Sequence, residues 1–141
     1  MSIQESKLVK EYLIKIPYDA DLLLAIKEAV IKLGITAGTI NVIGALKKAV
    51  LYYYIQDQKN FHTLNFDRPM EIASGMGNIA MKDGDTIVHM HLVLADKEGH
   101  AFGGHLAEGS RVFAGEVWLR ALSPAMHRKF DPQTGLNLFD I

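Results

Sequence analysis

The sequence predicts an α+β protein, a mostly antiparallel β-sheet with one main helix packed on it. Three observations lead there. One stretch, Asp21 to Leu33, carries apolar residues at helical spacing, at Leu22, Leu23, Ile26, Ala29, Val30 and Leu33. Beyond it, β-branched and aromatic runs alternate with turn signals as far as Leu122. The 141 residues include no cysteine and are 49% hydrophobic, and a chain of this size buries roughly two-thirds of its unfolded surface without covalent staples.

Each element has its own warrant. Leu8 to Ile16 is rich in Leu, Val, Tyr and Ile and ends at Pro17, so it reads as a first strand. Asp19 or Asp21 can cap the helix, and Gly34 stops it. Gly38 to Ile43 and Lys48 to Ile55 read as two strands separated at Gly44, and Lys59 to Asn65 as an edge segment. Pro69 precedes a strand from Met70 to Ala73, Ser74-Gly75-Met76-Gly77 reads as a turn, and Asn78 to Met81 follows. Lys82-Asp83-Gly84-Asp85 is a strong turn signal. Thr86 to Ala95, His100 to Leu106 and Ser110 to Leu122 complete the sheet. A single domain over residues 1–141 is expected, with a core over about 8–122. The apolar tail, residues 123–141, is expected to dock on the domain or on a neighbouring subunit.

Charge and apolar runs narrow the function. Fifteen Lys and Arg against sixteen Asp and Glu leave a formal net charge of −1, which argues against a strongly electrostatic nucleic-acid binder. Without cysteine there is no thiolate metal site. The longest aromatic-aliphatic run, Ala49 to Ile55, is far short of the roughly 20 residues of a membrane helix. The N-terminus lacks a charged segment followed by an apolar one. A soluble, cytoplasmic protein with no membrane partner is the expectation.

Three of the six histidines lie in one expected hairpin, His89 and His91 on its first strand and His105 on its second. Residues two apart on a strand share a face. Asp96-Lys97-Glu98-Gly99 fits a type I turn followed by a left-handed glycine. That turn pairs Asp96 with His100 and, counting back, His91 with His105. Opposite residues stand about 4.5–5.5 Å apart at Cβ, so three imidazoles gather on one face. Three nitrogen ligands suit zinc, which keeps a fourth position open for water or substrate. A one-residue slip at Gly99 would turn His105 to the other side.

The ordered set Arg68-Pro69-Met70-Glu71-Ile72, Gly75-Met76-Gly77-Asn78-Ile79, Asp83-Gly84, His89-Met90-His91, Gly99, Gly103-Gly104-His105-Leu106, Gly109 and Glu116-Val117 resembles the plant and prokaryote conserved (PPC) domain. The resemblance covers about residues 8–122, and Phe130-Asp131-Pro132-Gln133-Thr134-Gly135-Leu136 looks like the end of stand-alone prokaryotic members. It implies an antiparallel sheet with a flanking helix, assembled as a homotrimer. It implies a zinc site on His89, His91 and His105, which some prokaryotic members keep. It also implies a DNA-associated role, because prokaryotic members are commonly labelled DNA-binding proteins. The plant members' minor-groove segment has an Arg-Gly-Arg-Pro core, and this chain lacks that core.

The remaining candidates have open roles. Glu71 is a fourth ligand, an orienting residue, a general base or a structural acceptor, and in a catalytic reading it handles the proton. Glu116 is a weaker candidate of the same kind. His62, His100 and His127 read as surface residues, and Lys47-Lys48 and Arg128-Lys129 as solvated basic pairs. Tyr52-Tyr53-Tyr54 reads as strand packing on both faces. The expected function is that of a zinc-binding homotrimer with an undefined ligand or activity. A DNA-associated regulator and an oligomerisation scaffold are the alternatives.

Overall fold

The computed structural model describes residues 1–141. The elements are β1 (Lys7–Ile16), α1 (Leu22–Lys32), β2 (Gly38–Ile55), β3 (Asn60–Phe66), β4 (Met70–Lys82), β5 (Asp85–Ala95), β6 (Ala101–Leu106), β7 (Arg111–Ser123), β8 (Arg128–Asp131) and β9 (Leu136–Phe139). β1 to β7 form one sheet in the order β1-β7-β2-β4-β5-β6, with β3 also paired to β2. All of these pairings are antiparallel.

The organising element is β2, which is 18 residues long. Its first half lies between β4 and β7. Its second half pairs with β3 and, through Leu51↔Leu106 and Tyr52↔His105, with β6. The circuit β2-β4-β5-β6 therefore closes on itself. Where two strands were expected, Gly44 sits inside one, at φ 143° and next to a register shift. The glycine bends the strand without ending its ladder, as a bulge does. A Cβ there would run into the Ala114 carbonyl of β7.

The expected turn at Ser74 to Gly77 is also absent, and β4 runs straight through it. A side chain at Gly75 would strike Val42 and Leu92, and one at Gly77 would strike the His89 carbonyl and Met90. These two glycines serve close strand packing rather than chain reversal. The reversal falls at Asp83 and Gly84, with φ of 52° and 88°, which suits a two-residue hairpin.

α1 matches its expected span. Asp21 caps it by accepting the Leu24 N–H at 3.2 Å. At its end the Gly34 N–H donates to the Ile31 carbonyl and the Ile35 N–H to the Val30 carbonyl, with Gly34 at φ 65°. That pair of bonds is the Schellman arrangement. Leu22, Ile26 and Val30 face the sheet and join Ile40, Leu51, Met90, Leu92, Leu94 and Leu119 in a continuous core.

The tail docks on its own domain. β8 and β9 form a two-stranded hairpin. The Met81 N–H donates to the Met126 carbonyl at 2.7 Å, and Met81 bridges to His127. The Tyr54 hydroxyl donates to the Thr134 carbonyl at 2.7 Å, and Lys59 to the Pro132 carbonyl at 2.8 Å. The hairpin thus lies beside β4 and the distal half of β2.

Candidate metal centre

The histidine site begins with the turn at residues 96–99. Gly99 has φ 82°, and its N–H donates to the Asp96 carbonyl at 2.9 Å. The Asp96 N–H donates to the His100 carbonyl at 3.1 Å. One Asp96 carboxylate oxygen also accepts the N–H groups of Glu98 and His100, at 3.0 and 2.9 Å. From that fixed turn the ladder runs Ala95↔Ala101, Leu94↔Phe102, Val93↔Gly103, Leu92↔Gly104 and His91↔His105. This is the register expected from sequence.

Strand alternation does the rest. Met90 and Leu92 point into the core and are buried, so His89 and His91 point to the opposite face. One nitrogen from each of His89, His91 and His105 falls within a common 4.8 Å. His89 Nε2 and His91 Nε2 are 3.2 Å apart. Two ligands of a tetrahedral zinc, each at 2.0–2.1 Å, stand about 3.3–3.4 Å apart, so this edge of the cluster already has the spacing of a coordination edge.

The site's electrostatics favour the neutral form of His89 and His105. Burial, followed by the nearby His105, Arg128 and His91, pulls His89 down to about 4. Burial, His91 and Arg128 also lower His105. Neutral imidazole is the form that binds metal.

Arg128, read from sequence as solvated, is the residue that sequence reasoning missed. It is half-buried, and one of its terminal nitrogens donates to Asn78 Oδ1 at 2.6 Å. The same nitrogen lies 3.3 Å from His89 Nδ1. Guanidinium only donates, so Nδ1 accepts and the hydrogen of neutral His89 sits on Nε2, directed at His91.

Glu71 does not join the histidines. It pairs with Ala95 near the start of β4, whereas Met76 and Asn78 pair with His91 and His89. Five residues of strand separate Glu71 from Met76, roughly 16 Å. Glu71 lines other hollows, with Tyr18, Lys47 and Phe113 or with Ile43 and Glu116. Within its own chain Glu71 is therefore set apart from the three histidines, because β4 continues unbroken from Glu71 past Met76. His62, His100 and His127 are exposed, as expected. Tyr52 and Tyr54 share one face with Phe61, and the Tyr52 and His105 rings lie nearly parallel with centroids 6.4 Å apart. Tyr53 projects to solvent from the opposite face.

Comparison with known proteins agrees with this architecture. The pattern of a family described as the Plants and Prokaryotes Conserved (PCC) domain matches residues 3–123. A metal-containing protein of Archaeoglobus fulgidus is 39% identical, with a TM-score of 0.93 and 99% of each chain covered. A plant- and prokaryote-conserved protein of Pyrococcus horikoshii is 34% identical, with a TM-score of 0.92, over 100% of this chain and 98% of that one. A candidate DNA-binding protein of Bacteroides thetaiotaomicron is 27% identical, with a TM-score of 0.88 over 96% of each chain. A bifunctional GlmU protein of a Synechococcus strain is 34% identical over 98 residues, which is 68% of this chain but 14% of that protein's length.

Proposed function

Because the chain belongs to the Plants and Prokaryotes Conserved domain family, we propose that it is a zinc-binding protein of that family, with His89, His91 and His105 as ligands and one coordination position left for a small ligand. The observation that carries this reading is the 3.2 Å approach of His89 Nε2 to His91 Nε2, with His105 held opposite by the ladder. The donor set fits zinc, since three imidazole nitrogens suit it and no cysteine competes. The metal-containing Archaeoglobus relative supports the same reading. Zinc with an open position makes its bound water acidic, down to a pKa of about 7 in known enzymes. Ligation through His89 Nε2 puts the imidazole hydrogen on Nδ1, where it no longer accepts from Arg128.

Metal analysis of untagged protein tests the reading. About one zinc per chain is expected in wild type and a loss of at least tenfold in His105→Ala, with unchanged circular dichroism. Wild-type protein that takes up no zinc at micromolar concentration would sink it. Association with DNA is the second reading and rests on the Bacteroides relative. The net charge of −1 gives it no electrostatic support.

A further inference from the structure

A cavity of about 590 Å³ opens above the histidines, between the distal half of β2 and the tail hairpin. This is within the range of small-molecule sites. Its floor is polar, formed by His89, His91 and His105, and its walls are apolar, with Tyr52, Phe61 and Leu136 prominent. No Asp or Glu lines it, whereas Arg128 and Lys82 do. Lys82 is already paired with Asp83 at the rim.

Arg128 is different. It takes part in none of the protein's ion pairs. Neutral acceptors hold it, the Asn137 carbonyl and Asn78 Oδ1 each at 2.6 Å, and its guanidinium lies 4.6 Å from the Phe139 ring centre. Its Nε–H is buried with no acceptor. A half-buried cation mounted this firmly, yet without a counter-charge, is costly unless something supplies the anion. Guanidinium binds a carboxylate through two parallel hydrogen bonds.

We propose that this cavity receives a small monocarboxylate with an aromatic or apolar body, its acid group held by Arg128 and turned toward the three histidines, its body against Tyr52 and Phe61. A carboxylate answers the Arg128 guanidinium, the cation lining the cavity that has no acidic partner in the chain. The inference deepens the zinc reading, and rests on it only for a second anchor on the carboxylate.

Calorimetric titration of the full chain with benzoate, in EDTA-treated and in zinc-loaded form, tests it. Benzoate is expected to bind both forms, more tightly with zinc, and benzamide to bind at least tenfold more weakly than benzoate. Arg128→Gln is expected to lower benzoate affinity at least tenfold while the zinc content stays that of wild type. Should that variant fail to fold, Arg128→Lys keeps the charge and loses the paired donors, and benzoate affinity is expected to fall severalfold. Equal binding of benzoate and benzamide overturns the proposal, as does unchanged benzoate affinity in either Arg128 variant. Zinc uptake without benzoate binding overturns it and leaves the zinc reading intact. Arg128-dependent benzoate binding in a protein that takes no zinc does the reverse.

Discussion

At the scale of single residues, His89 is the most informative. Its pKa of about 4 lies below the ordinary 6.5, so the unfolded chain binds a proton between those values that the folded chain refuses. Stability from this group is complete above pH 6.5 and is lost as pH falls toward 4. Unscreened, a shift of this size is worth about 3 kcal/mol. The ring is only partly buried, so screening reduces it to the order of 1 kcal/mol. His105 is shifted the same way. In metal-free protein the melting temperature is therefore expected to fall between pH 6.5 and 5, above the range where most carboxylates titrate, and His89→Gln is expected to flatten that fall. A flat wild-type profile over this window would contradict the assignment. Residue by residue, the three histidines are readable from sequence because their placement depends on local rules, period-two alternation and one glycine turn. Arg128 is not readable. Its partners Asn78 and His89 lie 50 and 39 positions away, and only the folded tail brings them together.

At the scale of elements, the glycines divide into two kinds that sequence does not separate. Gly34, Gly84 and Gly99 supply left-handed backbone, with open space where a side chain would be. Turn signals find them. Gly75 and Gly77 are needed because neighbouring strands leave no room for a Cβ. Their local context looks the same, which is why β4 reads as two pieces with a turn between them. Gly77→Ala is expected to cost about 1–3 kcal/mol, the range for overpacking, which is several degrees in melting temperature for a chain of this length. Because the collision is with the His89 carbonyl, zinc affinity should fall with it. Thermal denaturation with and without zinc measures both, and a Gly77→Ala protein as stable as wild type would refute the packing account. The helix and the turns at Asp83-Gly84 and at residues 96–99 are readable in full, since caps and turn residues act over three or four positions. The unbroken β2 is not, because its continuity depends on partners on both sides of Gly44.

At the scale of the whole molecule, the outer surfaces carry apolar side chains that one chain leaves uncovered. Leu8, Val9 and Leu13 on β1 and Phe113 on β7 are all more than half exposed. The family resemblance predicts a homotrimer, and closed rotational symmetry would cover such surfaces. Light scattering after size exclusion is expected to give about 47 kDa, three chains of 15.7 kDa, and a mass of one chain at micromolar concentration would overturn the trimer. The order of strands also has a consequence in time. β1 precedes the other strands of the sheet in sequence, yet its one partner in the sheet is β7, with Ile16 opposite Gly115 and Lys7 opposite Ser123. Closing a loop of that length costs about 4 kcal/mol of chain entropy by the logarithmic rule. Ribosomes deliver chains N-terminus first, so β1 waits with its backbone edge and its core-facing Tyr12, Ile14 and Ile16 unpaired until β7 has been synthesised. Sheets built on such distant pairings fold in milliseconds to seconds rather than microseconds, and throughout that interval β1 is open to a wrong partner.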